Sequence, residues 1–344
     1  MQLHLPSVIK RRMINFELPK ELIAQGPAHP RDSARLLVYS RATKKITDAV
    51  FRDLPNYLAE NTTLVVNNSK VENCRWLFEE GKTEIFVLEK LDTHTIRALV
   101  RPGKKFRLGQ KSDINEWLDV TTTAIDEDGI RTLKLNIQHD DERLHAVEHV
   151  PLPPYIAQND TLALEYQTIY AKDSKSGGSK AAPTAGLHFT TELMDKIKNQ
   201  HDVLEVTLHV GLGTFASLQP ENYKSGTLHA ENYEITTETA EKLNNPRHIT
   251  AVGTTTTRTL ESYVIGPSSH KSQPLFGSTD IFIQPGYKFQ KVDSMITNFH
   301  LPGTSLLLMI EAFIGSELEA QRIYDYAIKQ KYRFYSFGDA MLIV

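Results

Sequence analysis

The chain has 344 residues, 39 Lys and Arg against 42 Asp and Glu, a formal net charge of −3, and is 40% hydrophobic and 24% charged. Those fractions describe a soluble globular protein with chain enough for a substantial core, as one large or two ordinary domains. Its one cysteine, Cys74, excludes an internal disulfide framework and fits a reducing compartment.

Lys10-Arg-Arg12 is followed by no apolar stretch, so the start does not read as a secretory signal. The most apolar run, 306–310, ends at Glu311 and is too short to span a bilayer. A cytoplasmic protein without a membrane partner is expected. The slightly acidic total argues against a nucleic-acid partner, but phosphate contact needs only one basic face. Arg101-Pro-Gly-Lys-Lys-Phe-Arg107 carries four cations without an acid; Lys175 lies in a Gly/Ser-rich loop, and Lys329, Lys331 and Arg333 sit near the C-terminus.

In chain order, residues 1–60 give an extended lead-in, a strand over 35–39 and a helix around 53–60. Alternating apolar and polar residues over 83–89, 94–100, 120–125 and 131–137, split by turns such as Glu127-Asp-Gly129, predict strands. A small all-β, barrel-like domain inserted over 64–149 is the expectation. After Pro151-Leu-Pro-Pro154, strands alternate with helical stretches at 191–198, 237–243, 255–263, 306–314 and 318–330. That alternation predicts an α/β major domain, made of 1–63 and 150–344, and a barrel-like arrangement of a mixed sheet with helices is expected of it.

Five segments attach glycine and reactive side chains to apolar strands: Ala181-Ala-Pro-Thr-Ala-Gly-Leu-His-Phe189, Leu208-His-Val-Gly-Leu-Gly-Thr-Phe215, Ala251-Val-Gly-Thr-Thr-Thr-Thr-Arg258, Thr279-Asp-Ile-Phe-Ile-Gln-Pro-Gly286 and Ile296-Thr-Asn-Phe-His-Leu-Pro302. Repeated strand ends of this kind predict one site built from many loops, hence an enzyme. Gly211-Leu-Gly-Thr-Phe-Ala216 fits a dinucleotide fingerprint formally, but Pro220 follows where the phosphate-binding helix should run. His229-Ala-Glu231 matches the His-x-Glu of zinc deaminases, whose paired cysteines are missing, so zinc is not expected. On a regular strand His229 and Glu231 would share a face and could act as a general-base pair.

The threonines 254–257 and Arg258 at a strand-to-helix junction suggest an anion site. Asp280, Asn298 and His300 stand at strand ends. Tyr287, Phe299, Tyr332, Phe334 and Tyr335 could stack on a base, with at least half of them expected in the core.

Taken in order, these segments resemble one family closely, the S-adenosylmethionine:tRNA ribosyltransferase-isomerases of queuosine biosynthesis. Phe16-Glu-Leu-Pro19, Arg31-Asp-Ser-Ala-Arg-Leu-Leu-Val38, Leu64-Val-Val-Asn-Asn68, Leu152-Pro-Pro-Tyr-Ile156, Tyr166-Gln-Thr-Ile-Tyr170 and Tyr332-Arg-Phe-Tyr-Ser-Phe-Gly-Asp-Ala-Met341 extend the match over nearly the whole chain. The resemblance implies that S-adenosylmethionine, as co-substrate, supplies its ribosyl group to 7-aminomethyl-7-deazaguanine at the tRNA wobble position. Epoxyqueuosine-tRNA, adenine and methionine result, with no metal. It further implies catalytic roles among His188, His209, His229, Glu231 and His300, with His188 or His229 the first choice for the base.

Substrate contacts are expected from Thr184, Gly186, Gly211, Gly213, Thr214 and Phe215, and from Thr254, Thr255, Arg258, Asp280, Asn298 and Phe299. Lys70, Arg75, Arg101, Lys104, Lys105 and Arg333 are expected to face tRNA, and a monomer is expected. The chain departs from the family pattern at Lys70, Ala216, Lys180 and Leu228. An Arg-to-Lys exchange at Lys70 gives up bidentate geometry. A divergent paralogue with another acceptor and a non-catalytic RNA-binding module are the alternatives.

Overall fold

The computed structural model describes residues 14–156, 159–174, 178–211, 218–244, 247–265 and 275–344. The chain divides into two compact units, Val71–Tyr166 and the pair Met1–Lys70 with Gln167–Val344.

The strands in chain order begin with β1 (Arg35–Tyr39), β2 (Ile46–Val50) and β3 (Thr63–Asn67). Within Val71–Tyr166 lie β4 (Arg75–Phe78), β5 (Thr83–Asp92), β6 (Thr95–Arg101), β7 (Lys111–Asp113), β8 (Asp119–Ile125), β9 (Arg131–Leu135), β10 (Glu148–His149) and helix α1 (Asp160–Glu165). Then follow α2 (Thr191–Lys198), β11 (Asp202–Leu208), α3 (Pro220–Ser225), β12 (Thr227–Ile235), α4 (Thr237–Leu243), β13 (Ile249–Val252) and α5 (Thr254–Ile265). The chain closes with β14 (Leu275–Ile281), β15 (Ser294–Asn298), α6 (Ser305–Ile314), α7 (Glu317–Lys329) and β16 (Ala340–Ile343).

The fold is mixed α/β. Nine strands form one sheet in the order β14-β12-β11-β3-β13-β15-β16-β1-β2. Its centre, β11-β3-β13-β15, is parallel throughout, while β16 runs antiparallel to β15. Successive residues of a strand face opposite sides, and both sides are covered here. Val65, Ala251 and Met295 join one apolar cluster with Ile310, Ile323 and Tyr324 of α6 and α7. Leu64, Val66, Val252 and Ile296 join another, with Phe51, Phe189 and Leu193.

Helices α2, α4, α6 and α7 start on Thr190, Thr236, Thr304 and Ser316, whose hydroxyls each accept a backbone N–H of the first turn. The helix expected around 53–60 is instead a 3-10 turn, Phe51–Asn56, with Pro55 inside it.

In Val71–Tyr166, seven antiparallel strands run in the order β10-β4-β5-β6-β9-β8-β7 over a core that includes Trp76, Ile85, Phe106 and Leu133. Neither sheet closes on itself among the described residues. β3 was expected at the start of the insertion at residue 64 and instead lies in the middle of the large sheet. A short, wholly apolar run reads equally well in either place. No described helix is long and apolar enough to cross a membrane.

Candidate active site

The C-terminal ends of the parallel strands gather most of the predicted segments. In open α/β sheets that edge is where ligands bind, because loops there leave crevices between strands. Asn67 ends β3 and is fully buried. Its Nδ2 donates to the Leu208 carbonyl at 3.1 Å and to Thr255 Oγ1 at 3.3 Å, and its Oδ1 accepts Leu208 N–H at 3.1 Å. One amide therefore ties the ends of β3 and β11 to the start of α5. No motif in the sequence assigns Asn67 a role; the signal for it is a polar residue closing an apolar strand run.

After β13 the chain turns at Gly253, whose φ of +93° favours glycine, and enters α5. Thr256 and Thr257 donate their hydroxyls back to the carbonyls of Val252 and Gly253, so they belong to the helix. That leaves Thr254, buried, and Thr255, bonded to Asn67, at the sheet edge.

The segment 181–189 crosses this edge. Lys180 N–H donates to the Val210 carbonyl at 2.8 Å, and Ser179 Oγ accepts Val210 N–H at 2.9 Å. A 3-10 turn, Thr184–Gly186, then packs near Gly253: a Cβ built on Gly253 would lie 3.6 Å from Ala185 Cβ. Gly186 is needed for close approach, since a Cβ there would fall 2.0 Å from the Tyr170 hydroxyl oxygen. The hydroxyl of Thr184 donates to Asn298 Oδ1 at 2.8 Å, and Asn298 Nδ2 lies 3.3 Å from His188 Nε2.

His188 is 5% exposed, with its ring against Phe51 at a centroid distance of 5.0 Å. Burial, aided by the guanidinium charges of Arg333 and Arg31, pushes its pKa down to about 3. Arg31 is a neighbour to which no sequence pattern assigns a role.

His300 does not join His188. Its Nε2 lies 2.9 Å from Thr297 Oγ1, and its backbone N–H donates to Tyr324 of α7 at 3.2 Å. Thr297 and Asn298 are consecutive strand residues and face opposite sides of β15. Burial lowers the His300 pKa to about 4. Phe299, expected to stack on substrate, is fully buried among Tyr324, Tyr332 and Phe334 instead. Tyr332 and Phe334 are likewise fully buried, whereas Tyr287 and Tyr335 are partly so.

The general-base pair expected of His229 and Glu231 is not formed. The β12–β14 pairing shifts register between Thr227 and Glu231, and such an irregularity breaks the two-residue alternation. His229 is exposed, while Glu231 is 4% exposed. Glu231 Oε1 accepts Gly211 N–H at 2.9 Å and Oε2 accepts Nη1 of Arg258. Arg258, 6% exposed, also donates from Nη2 to the Thr279 carbonyl at 3.3 Å. Both of its Nη atoms are thus engaged within the protein, while its Nε is buried without a hydrogen-bond partner among the described residues.

Asp280 follows buried Thr279 on β14 and is exposed. His209 is partly buried just beyond β11, its N–H donating to the Asn232 carbonyl at 3.0 Å. Gly213, Thr214, Phe215, Ala216 and Lys175 lie outside the described residues.

The basic residues are mostly engaged. Lys70 pairs with Asp173 at 2.8 Å, and Arg333 holds Asp339 at 3.1 Å beside His188 rather than on an open face. Arg75 and Arg101 share the Glu84 carboxylate at 2.8 and 3.0 Å, and Lys105 meets Glu79 at 3.3 Å. Lys104 and Arg107 are exposed on the turn between β6 and β7. Among the described residues there is no cluster of three His, Cys, Asp or Glu side chains able to hold a metal ion.

Residues 12–343 match the family model described as queuosine biosynthesis protein. The S-adenosylmethionine:tRNA ribosyltransferase-isomerase of Thermotoga petrophila is 44% identical over 339 residues, covering 96% of this chain and 98% of the relative. The enzyme of that name from Desulfitobacterium hafniense is 41% identical over 347 residues, covering 98% of this chain and all of the relative. A crystal structure of S-adenosylmethionine tRNA ribosyltransferase from Thermotoga maritima aligns at a TM-score of 0.54 and 36% identity, over 96% of this chain and 99% of that one. With the motifs at one sheet edge and a match over nearly the whole length, the chain belongs to the queuosine biosynthesis protein family.

Proposed function

We propose that this protein is an S-adenosylmethionine:tRNA ribosyltransferase-isomerase, moving the ribosyl group of S-adenosylmethionine onto tRNA and rearranging it. The acceptor is 7-aminomethyl-7-deazaguanine at the wobble position, and the products are epoxyqueuosine-tRNA, adenine and methionine. The protein works as a cytoplasmic monomer. The observation that carries this reading is the convergence of Asn67, Thr184, His188, Thr255 and Asn298 at the C-terminal edge of four parallel strands.

The nucleoside of S-adenosylmethionine occupies this edge, against the 181–189 turn and the start of α5. A base takes a proton from the 5′ carbon beside the sulfonium; ring opening with loss of adenine follows. The aminomethyl nitrogen then attacks, and methionine leaves as the epoxide closes. We assign the base to His229, whose ring is exposed and has no hydrogen-bond partner among the described residues. Lys104 and Arg107, on a turn that also carries Arg101 and Lys105, contact the RNA backbone.

Incubation with S-adenosylmethionine and precursor-bearing tRNA tests the proposal. Adenine release with a matching gain in tRNA mass supports it. Turnover only with another acceptor, or tRNA binding without turnover, overturns it. Full activity in His229→Ala would remove His229 from the role of base.

A further inference from the structure

The chain Thr184–Asn298–His188 specifies which nitrogen of His188 carries the proton. Asn298 stands with Oδ1 2.8 Å from the Thr184 hydroxyl, which donates to it. Its NH2 end then faces His188 Nε2 at 3.3 Å. An amide nitrogen only donates, so Nε2 must present its lone pair, and the one proton of a neutral imidazole sits on Nδ1. Nδ1 has no hydrogen-bond partner among the described residues. The donor of His188 is therefore left unengaged there, while its acceptor is occupied by Asn298.

The surroundings agree. Phe51 covers the ring at a centroid distance of 5.0 Å, and the charged neighbours that act on it are Arg31 and Arg333. Arg31 donates Nη1 to the Gln167 carbonyl at 2.7 Å, and Arg333 is bridged to Asp339 at 3.1 Å. Two guanidinium groups beside a buried ring oppose a second proton on it.

We infer that His188 serves the site as a neutral hydrogen-bond donor through Nδ1–H, and that Asn298, whose NH2 end faces Nε2, is the positioning residue that sets this tautomer. The inference rests on the ribosyl-transfer reading for its substrate. The acceptor is a purine ring nitrogen of the nucleoside, whose lone pair becomes more basic as the glycosidic bond weakens. A neutral donor strengthens its bond to such an atom without transferring a proton, and a water-poor setting amplifies the effect. His188 is thus not the group that takes the proton from the 5′ carbon.

The test is 15N–1H correlation spectroscopy of histidine-labelled full-length protein without substrate, with the His188 signals identified by their loss in His188→Gln. The expected pattern is a protonated Nδ1, a bare Nε2 and no titration down to about pH 5, against about 6.5 for a free imidazole. A protonated Nε2, or titration between about pH 6 and 7 in the folded protein, overturns the inference. In Asn298→Asp the carboxylate can only accept, so the proton moves to Nε2 and the ring titrates higher. With folding verified by circular dichroism, kcat should fall on the order of 100-fold with little change in KM. An unchanged kcat after the tautomer has switched also overturns it. The spectra need no substrate, so failure of the wild type to release adenine would overturn the ribosyl-transfer reading while leaving the tautomer result standing.

Discussion

Glu231 and Arg258 form an ion pair that is almost completely buried, at 4% and 6% exposure, and the same carboxylate also accepts the N–H of Gly211. The pair joins β12, β14 and α5 to the chain beyond β11. A charge left alone at such a depth is costly. Glu231→Ala and Arg258→Ala should therefore each lower stability by about 3–5 kcal/mol. Urea unfolding checks this. The double variant Glu231→Leu with Arg258→Leu should lose less than the sum of the single losses, because no orphaned charge remains.

Gly186 is pinned by sterics rather than by φ. A methyl there meets the Tyr170 hydroxyl oxygen at 2.0 Å and Thr168 Cγ2 at 2.9 Å. Gly186→Ala should cost about 1–3 kcal/mol of stability and displace the turn that carries Thr184. Tyr170→Phe in the same chain removes the closest atom and should restore part of the loss. If Gly186→Ala melts at the wild-type temperature, the close approach is not real.

Glu311 is 3% exposed within α6, and burial raises its carboxyl pKa to about 7. Its folded-state pKa lies above the unfolded value, so the folded chain holds this proton more tightly. The associated stability is complete below about pH 4.5 and is lost as pH rises through about 7. Glu311→Gln, which keeps an acceptor for the Ile14 N–H, should match wild type near pH 4.5 and exceed it at pH 8. The difference is on the order of 3 kcal/mol at 1.36 kcal/mol per unit. Parallel stability curves for the two proteins across that range would refute the assignment.

His188 and His300 act in the opposite direction. Their folded pKa values, about 3 and about 4, lie below the unfolded value of 6.5, so the folded state binds fewer protons. Stability from these two is present above pH 6.5 and falls as pH drops from there toward 3. Denaturant midpoints for His300→Gln should fall less steeply than wild type over this acid range. A wild-type slope in the variant would count against it.

If the turn between β6 and β7 meets tRNA, Lys104→Ala and Arg107→Ala should weaken binding uniformly and reduce the slope of log K against log salt by about 1 each. Arg75→Ala should act differently, because Arg75 is bonded to Glu84 at 2.8 Å and supports the sheet. Unchanged salt slopes for both exposed residues would place the RNA elsewhere.

Much of this was legible without coordinates. The stretches at 237–243, 255–263 and 306–314 became α4, α5 and α6 because hydroxyl caps and apolar periodicity are local signals. The family motifs were legible for the same reason, and so was the enzyme class. Less legible were features in which a neighbour overrides local pattern. The register shift before Glu231 separates it from His229, although two-residue spacing predicted a shared face. Phe299 and His300 flank the same strand end as Asn298, yet one fills the aromatic core and the other bonds Thr297 on the opposite side.

The sequence by itself determined the family, the alternation of strand and helix, and the segments that meet at one sheet edge, because each is written in contiguous residues. Only the tertiary structure decided that Arg258 pairs with Glu231, that Asn67 ties three strand and helix ends together, and that His188 stands among guanidinium groups with its Nε2 occupied. Charge matching, burial and hydrogen-bond direction depend on residues up to 188 positions apart in the chain, as Asn67 and Thr255 are, and no local pattern encodes such a partner.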